Sequence, residues 1–244
     1  MIFKAPEYLM SAPTSFCQGC GHGVIGRLMY EVIEEMNLSD KVITVLDVAC
    51  CSLFMYSSDY DYVGTAHGRV VPTACGVKRV RKENPVIAYH GDGAAYSIGM
   101  AHTIWAAIRN ENITCIVVNN QVFGMTGGQM SPTSLIDQKT TSSPLGRNAS
   151  LSGEPFDIMK TLDHMNVAYL ARGSVDKPAN IAKTKQYIKK GIENQMNNKG
   201  FSLVEILSPC PTNWNLSPLD SVKRMQESVI PVFPLGEFIK EGGK

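Results

Sequence analysis

Residues 85–93 read PVIAYHGDG and residues 113–120 read ITCIVVNN, and these two stretches decide the fold. Each begins with a short apolar run, which is typical of a buried strand, and each ends in turn-forming residues. A helical pattern from about Tyr96 to Arg109 separates them. A strand, a helix and a second strand in this order predict two parallel strands joined by a crossover, the repeating unit of an α/β fold.

The alternation of strands and helices continues outward on both sides. The patterns predict helices over Gly21 to Met36, Val71 to Arg81 and Ala179 to Met196, and strands over Val42 to Leu46, Val167 to Ala171 and Phe201 to Leu207. We therefore expect one α/β domain over residues 1–244, with a core of about 15–215 and a C-terminal tail of 216–244. Its sheet should be mostly parallel with helices on both faces, and functional residues should lie at the carboxyl ends of the strands.

The composition excludes several classes of protein. Lys plus Arg number 23 and Asp plus Glu number 22, so no overall field favours nucleic acid or an anionic membrane as partner. No apolar run reaches the length of about 18 residues that a membrane span needs. The N-terminus has no signal-peptide pattern, so we expect a cytoplasmic protein. Charged residues make up only 18% of the chain, which predicts a large subunit interface.

Glycines and polar side chains follow both of the quoted strands. Gly91, Asp92 and Gly93 come after the first strand, where glycines let backbone amides approach a phosphate and the next helix offers its positive N-terminus. Asn119 and Asn120 come after the second strand. The oxygens of Asp92 and Asn120 are hard ligands that suit Mg²⁺. Either motif alone is more often an ordinary turn, but together they predict a magnesium and diphosphate site.

The chain has seven cysteines, which in the cytoplasm are thiols or metal ligands rather than disulfides. Cys17 and Cys20 form a C-x2-C turn, which alone could hold zinc, carry out thiol redox chemistry or have no function. Cys51 and Cys210 also follow predicted strands, and four thiolates at one end of a sheet suit an iron–sulfur cluster. Zinc would satisfy the same ligands, and Cys50 competes with Cys51 for the third position.

In order along the chain, these motifs resemble the β subunits of thiamine-diphosphate-dependent 2-oxoacid:ferredoxin oxidoreductases. The resemblance covers about residues 15–215. The matching stretches are Cys17 to Gly23, Cys51 to Phe54, Ala66 to Arg69, Gly91 to Gly93, Asn119 to Gln129 and Ser208 to Thr212. The resemblance implies the diphosphate-binding half of the thiamine-diphosphate-binding fold. It also implies three cofactors, namely thiamine diphosphate, Mg²⁺ and a 4Fe–4S cluster.

The resemblance assigns individual residues. It implies that Asp92, Asn120 and the main-chain carbonyl of Val122 bind Mg²⁺. The implied cluster ligands are Cys17, Cys20, Cys51 and Cys210, and the implied catalytic contacts are His67 and Arg69. The implied cofactor-binding residues are Cys20, Gly21, His22, Ser52, His67, Gly91, Asp92, Gly93, Asn120, Val122, Gly124, Met125 and Thr126. Some relatives carry a substrate-binding lysine where this chain has Gly127.

The implied reaction is oxidative decarboxylation of a 2-oxo acid to its acyl-CoA, with electrons passed through the cluster to ferredoxin. In the family, a different chain supplies the glutamate that activates the cofactor, so we expect an α subunit as partner, and further ferredoxin-like subunits are a second expectation. Two alternatives stay open: a non-redox thiamine-diphosphate decarboxylase fragment with structural zinc, and a catalytically silent cofactor-binding scaffold. Lys183, Lys185, Lys189 and Lys190 predict either a solvated helix face or a basic patch for an acidic ferredoxin.

Overall fold

A computed structural model describes residues 5–9 and 14–239. The predicted irregular segment at 1–20 therefore lies partly outside the described residues, as does the end of the predicted tail at 240–244. The strands are β1 (Ile43–Leu46), β2 (Tyr62–Gly64), β3 (Val86–Gly91), β4 (Thr114–Asn119), β5 (Val122–Phe123), β6 (Gln129–Met130), β7 (Tyr169–Ser174), β8 (Ser202–Leu207) and β9 (Gly236–Ile239).

The helices connect these strands and extend the C-terminal part of the chain. The α-helices are α1 (His22–Glu35), α2 (Val70–Val80), α3 (Met100–Ile108), α4 (Ala149–Ser152), α5 (Ile158–Leu162), α6 (Pro178–Met196), α7 (Pro211–Trp214), α8 (Pro218–Arg224) and α9 (Ile230–Val232). A 3-10 helix spans Cys50–Tyr56, and π-helices span Ala94–Ile98 and Met225–Val229. In the part of the chain that the structure describes, no helix combines the length and the apolar character needed to cross a membrane.

Seven strands form one sheet in the order β2-β1-β3-β4-β8-β7-β9. All neighbours in this sheet pair in parallel except β7 and β9, which are antiparallel. β5 and β6 form a separate antiparallel hairpin. The predicted α/β class and the mostly parallel sheet are thus confirmed. The predicted tail is more than an extension, because its strand β9 completes one edge of the sheet.

Helices cover both faces of the sheet, as the sequence predicted. Ile87 and Tyr89 of β3 point into a core layer with α1 and α6, whereas Val86 and Ala88 point into a second layer with α2, α3 and α5. All six residues of β4 are buried. A central strand that is buried on both faces needs apolar residues at successive positions, which explains the unbroken apolar run at 115–118.

A buried ion network joins the neighbouring strands β7 and β8 to the residue before α5. The guanidinium of Arg172, whose side chain is fully buried, pairs with the carboxylates of Glu205 and Asp157. Oε1 of Glu205 in turn accepts a hydrogen bond of 3.2 Å from Nδ2 of Asn119. A buried charge without a partner is costly, so each member of the network depends on the others. The network therefore fixes the side chain of Asn119 at the end of β4.

One prediction from the sequence needs correction in detail. The helix expected from Tyr96 to Arg109 is interrupted at Gly99, where a Cβ atom would lie 2.8 Å from the carbonyl oxygen of Gly68, and its first part is a π-helix. The lysines of α6, predicted to form a solvated face or a basic patch, include two that form ion pairs. Lys185 pairs with Glu31 and Glu35, and Lys190 pairs with Glu237.

Candidate active site

Four neighbouring parallel strands deliver the predicted functional residues to one edge of the sheet. β1, β3, β4 and β8 stand side by side, and their carboxyl ends lead into Asp47, Gly91, Asn120 and Ser208 respectively. A cleft opens at this edge. It is lined by His22, Ala49, Cys50, Cys51, His67, Gly91, Asp92, Gly93, Ala94, Asn120, Val122, Phe123, Gly124 and Met125. The predicted magnesium ligands, the predicted cysteine Cys51 and its neighbour Cys50 therefore line the same cleft.

The carboxylate of Asp92 is buried in this cleft and held on one side. Its Oδ2 atom accepts hydrogen bonds from the hydroxyls of Ser131, at 2.6 Å, and Thr133. Burial raises the pKa of Asp92 to about 6, and the two hydroxyls oppose that rise. Because both hydroxyls bond Oδ2, Oδ1 is not engaged by them and is available to a cation.

A strained turn presents the other two predicted magnesium ligands. Gln121 lies between Asn120 and Val122 with a φ of 59°, a left-handed conformation that is unfavourable for a side chain. Nε2 of Gln121 donates to the carbonyl and to Oδ1 of Asn119, at 2.9 and 2.7 Å. Ser134 and Gln138 donate to the carbonyl of Gln121. These bonds hold a conformation that the isolated turn would not favour.

Two glycines keep the cleft open to backbone approach. A Cβ atom at Gly93 would lie 2.4 Å from the ring of Phe123, so no larger residue fits while that ring stays in place. A Cβ atom at Gly124 would come within 3.2 Å of Sγ of Cys50. Glycine at these positions lets main chain approach a bound group and lets the loop pass close to the cysteines.

Arg147 organises the long loop between β6 and α4. Its side chain is 4% exposed, and its guanidinium donates hydrogen bonds to six main-chain carbonyls. The acceptors are Ser131, Pro132, Ser134, Ser152, Gly153 and Glu154. Because three of these acceptors lie within 131–134, Arg147 also fixes the hydroxyls that hold Asp92. The segment 131–154 is thus built around one cation.

His67 faces the cleft and is oriented by a buried carboxylate. Its Nδ1 atom lies 2.8 Å from Oδ2 of Asp47, and the other oxygen of Asp47 accepts the main-chain N–H of Gly68 at 2.9 Å. Burial raises the pKa of Asp47, while these partners lower it. With Nδ1 bonded to the carboxylate, Nε2 of His67 is the nitrogen left for a ligand.

The other residues assigned by resemblance occupy different positions. His22 lines the cleft, bonds the hydroxyl of Tyr89 at 2.7 Å, and has its pKa lowered to about 4 by burial. Ser52 donates to the carbonyl of Ala49 at 2.8 Å and so closes its own turn. Arg69 does not line the cleft, because its guanidinium donates to the carbonyls of Gly68 and Ile98.

Cys20, Gly21 and Thr126 also lie outside the lining of the cleft, although Cys20 and Thr126 are close to it in sequence. Gly21 packs against Ser208, whose Oγ would lie 2.3 Å from a Cβ atom there. Thr126 is exposed in the turn after β5, where its hydroxyl donates to Gln129 at 2.6 Å. Met125 lines the cleft and is 48% exposed.

Four thiols act on one another electrostatically, and Cys51 adjoins them through its neighbour Cys50. Burial raises the pKa of Cys20 to about 12, and the charges of Cys210, Cys50 and Cys17 raise it further. Burial likewise raises the pKa of Cys50 to about 11, with contributions from Cys210 and Cys17. We call Cys17, Cys20, Cys50 and Cys210 the four-thiol set.

Cys51 points into the core instead. Its side chain is 1% exposed, packs in the same core layer as Phe54 and Tyr89, and donates to the carbonyl of Asp47 at 3.5 Å. Cys51 and Phe54 are three residues apart in the 3-10 helix, so they share its inward face. Cys50 lies one residue earlier. Both cysteines line the cleft, and the thiol of Cys50 is the one beside Gly124. Of the two neighbouring cysteines, Cys50 is therefore the one beside Gly124 and Cys51 is the buried one.

The donor types at the two halves of the cleft fit different groups. Oxygen donors from Asp92, Asn120 and Val122 suit Mg²⁺, and the four thiols suit zinc or an iron–sulfur cluster. Within residues 5–9 and 14–239, no three His, Cys, Asp or Glu side chains stand close enough to hold a metal ion as they are. The thiols would therefore have to draw closer around a bound group. Cys17 is exposed in its turn and is the thiol with the greatest freedom to do so.

Several residues of the site have no signal in the local sequence. Ser131, Thr133 and Arg147 reach Asp92 through a loop whose path the sequence pattern does not predict, and Asp47 resembles an ordinary strand-ending residue. Asn213 is a further addition, since its Nδ2 atom lies 3.4 Å from Sγ of Cys210. A signal for Cys50 is present: the inward pair of Cys51 and Phe54 at helical spacing leaves the preceding cysteine to face outward.

Comparison with known proteins places this fold and site in a class. Residues 47–206 match the family model of the C-terminal cofactor-binding domain of thiamine pyrophosphate enzymes. Ketoisovalerate oxidoreductase subunit VorA of Methanothermobacter thermautotrophicus is 36% identical over 231 residues, which are 93% of this chain and 48% of VorA. 2-Oxoglutarate synthase subunit KorB of Archaeoglobus fulgidus is 34% identical over 216 residues, which are 88% of this chain and 77% of KorB.

A solved structure agrees with these relatives. The 2-oxoglutarate:ferredoxin oxidoreductase of Magnetococcus marinus, with 2-oxoglutarate, coenzyme A and succinyl-CoA bound, matches with a TM-score of 0.80 at 26% identity, covering 99% of this chain and 86% of that one. The fold and the site define a cofactor-binding domain of a thiamine diphosphate enzyme. More narrowly, the chain belongs to the family of the β subunits of 2-oxoacid:ferredoxin oxidoreductases, and it spans about half the length of the VorA relatives that it matches.

Replacement of Arg147 tests whether one cation holds the long loop. In Arg147→Lys, an ammonium group replaces the fork that bonds six carbonyls, so amide hydrogen exchange across 131–154 should accelerate by about tenfold or more, equivalent to about 1.4 kcal/mol of local stability. Exchange in β4 should stay unchanged. Equal exchange of the loop in the variant and the parent chain would contradict the role given to Arg147.

Proposed function

We propose that this chain is the cofactor-binding subunit of an enzyme that oxidatively decarboxylates a 2-oxo acid to its acyl-CoA, with ferredoxin as the electron acceptor. One observation carries the proposal. Oxygen ligands suited to magnesium and Cys50, one cysteine of the four-thiol set, line a single cleft at the carboxyl edge of the sheet. Metal-bound diphosphate chemistry and one-electron chemistry can therefore occur side by side. The names of the relatives, which include ketoisovalerate and 2-oxoglutarate oxidoreductases, support the same reaction class.

Thiamine diphosphate supplies the electron sink that decarboxylation of a 2-oxo acid requires. In this proposal, Asp92, Asn120 and the carbonyl of Val122 hold Mg²⁺, and the main chain at Gly91 and Gly93 approaches the diphosphate. The hydroxyls of Ser131 and Thr133 keep the carboxylate of Asp92 oriented toward the metal. Outer partners of this kind typically change metal affinity by about 10- to 100-fold.

A 4Fe–4S cluster supplies one-electron transfer. Its proposed ligands are Cys17, Cys20, Cys50 and Cys210. Gly124 approaches Cys50 closely, so this cysteine lies beside the loop that begins at Gly124. Burial raises the pKa of the Cys20 and Cys50 thiols, so binding of a positively charged iron centre would have to favour the thiolates. Zinc on the same thiols would not accept electrons.

His67 is the proposed proton donor or acceptor of the cleft. Asp47 holds its Nδ1 atom, which leaves Nε2 to exchange a proton with the substrate or cofactor. The proposal gives Arg69 no catalytic role. Arg69 lies in the same loop as His67, but its guanidinium donates to main-chain carbonyls.

The proposal requires a partner chain. No glutamate is among the residues that line the cleft, in the ranges of the chain that the structure covers, so the group that activates the aminopyrimidine would come from an α subunit. No lysine or arginine lines the described cleft either, and Val122, Phe123 and Met125 contribute apolar surface. We therefore expect this chain to favour a 2-oxo acid with an apolar side chain over one that carries a second carboxylate.

Replacement of Asp92 tests the cofactor site. Asp92→Ala removes the one anionic oxygen ligand and should weaken Mg²⁺-dependent thiamine diphosphate binding by about 100-fold or more, while Asn120→Ala should weaken it less and Ser131→Ala by about 10-fold. Isothermal calorimetry on the assembled complex measures these affinities. Asp61→Ala, at an exposed position away from the cleft, is the matched control. An unchanged affinity in Asp92→Ala would overturn the site.

The pair Cys50→Ser and Cys51→Ser tests the assignment of the third thiol. Cys50→Ser should lose most of its iron and sulfide, because its thiol belongs to the set in the cleft. Cys51→Ser should keep both, because its thiol is buried against the carbonyl of Asp47. Iron and sulfide analysis after anaerobic purification decides the matter. Loss in the Cys51 variant with retention in the Cys50 variant would restore the original assignment.

An anaerobic activity assay tests the proposed function as a whole. The chain alone, with thiamine diphosphate, Mg²⁺, coenzyme A and ferredoxin, should bind the cofactor but not turn over. With the co-purifying partner chain, it should reduce ferredoxin and form acyl-CoA, faster with ketoisovalerate than with 2-oxoglutarate. Turnover by the chain alone would contradict the requirement for a partner, and colourless, iron-free complexes would favour the zinc-containing alternative.

A further inference from the structure

The short helix α7 connects Cys210, the cysteine after β8, with the loop 124–128. We call this loop the substrate loop. Nδ2 of Asn213 donates to the carbonyl of Gly124 at 3.1 Å and to Sγ of Cys210 at 3.4 Å. The amide group has two hydrogens, so it can serve both acceptors at once. In the next residue, Nε1 of Trp214 donates to the carbonyl of Asn120 at 3.1 Å. One turn of helix therefore touches the thiol set, the substrate loop and a proposed magnesium ligand.

The substrate loop packs against Asn213 at a second point. A Cβ atom at Gly128 would lie 2.8 Å from Oδ1 of Asn213, and Gly128 has a φ of +81°. The main-chain N–H of Gly128 donates to the carbonyl of Phe123 at 2.9 Å, which closes the loop around Gly124. A shift of this loop would therefore displace the amide of Asn213, and with it the hydrogen bond to Cys210.

A hydrogen bond to a sulfur ligand affects the reduction potential of an iron–sulfur centre. Reduction adds negative charge, and an N–H donor stabilises that charge on the sulfur. Removal of the donor makes reduction less favourable and moves the midpoint potential to a more negative value. The midpoint potential of the cluster would therefore depend on the position of Asn213.

We propose that Asn213 is a positioning residue that raises the reduction potential of the cluster through Cys210 and makes that potential depend on the loop 124–128. The inference rests on the proposed function, because it requires Cys210 to ligate a cluster. It goes beyond that function in giving one amide a role in both the substrate loop and the electron acceptor.

The test is a redox titration, monitored by electron paramagnetic resonance, of the anaerobically purified complex with its partner chain. Asn213→Leu should shift the midpoint potential to a more negative value at full iron content. Asn213→Asp should shift it further, since a carboxylate replaces the donor. Gly128→Ala keeps Asn213 but crowds it, and should produce a smaller shift in the same direction. Asn197→Leu, which removes a similar amide at the exposed end of α6, should leave the potential unchanged.

The outcomes separate the inference from the function on which it rests. A wild-type complex without iron would overturn both. An iron-loaded Asn213→Leu complex with the wild-type potential would overturn the inference alone. If Asn213→Leu fails to assemble a cluster, Gly128→Ala decides: an unshifted potential there contradicts the link to the loop, and a negative shift supports it.

Discussion

Parallel pairing of four adjacent strands is the constraint on which the site depends. β1, β3, β4 and β8 are neighbours, and in a parallel sheet all carboxyl ends lie at the same edge. Each strand needs only a short polar extension to place its residues in the cleft. The register pairs Gly91 with Val118 and Asn119 with Leu207, so the extensions begin at nearly the same height. Main-chain hydrogen bonds thus set the spacing between the oxygen donors and the thiols.

Buried polar networks hold the ends of these strands in their unfavourable conformations. Gln121 adopts a left-handed φ, a conformation that costs about 1–3 kcal/mol. Hydrogen bonds from three side chains offset this cost. Glu205, which pairs with Arg172, accepts a hydrogen bond from the side chain of Asn119. Arg147 donates hydrogen bonds to carbonyls within 131–154. It thereby fixes the hydroxyls of Ser131 and Thr133 that bond Asp92. These bonds restrain the oxygen-donor side of the cleft, which lowers the cost of ordering it around a bound group.

Local patterns in the sequence predicted the features that depend on residues close together in the chain. Buried strands and turn-forming glycines identified the edge of the sheet, and Asp92 and Asn120 followed from it. Contacts between distant segments could not be predicted in this way: Thr133 reaches Asp92 across 41 residues, and Asn213 reaches Gly124 across 89. The choice between Cys50 and Cys51 also lies beyond such patterns, for a different reason. A one-residue shift in a helical turn reverses the side on which a thiol lies, and the buried position of Phe54 decides which of the two points inward.

The most direct test of this account is a crystal structure of the anaerobically purified complex with thiamine diphosphate and Mg²⁺, measured at the iron absorption edge. The account predicts anomalous density bonded to Cys17, Cys20, Cys50 and Cys210. It also predicts a magnesium ion bound by Asp92 in the same cleft, with the thiol of Cys51 still buried beneath it. Iron bonded to Cys51, or a magnesium ion away from Asp92, would contradict the account.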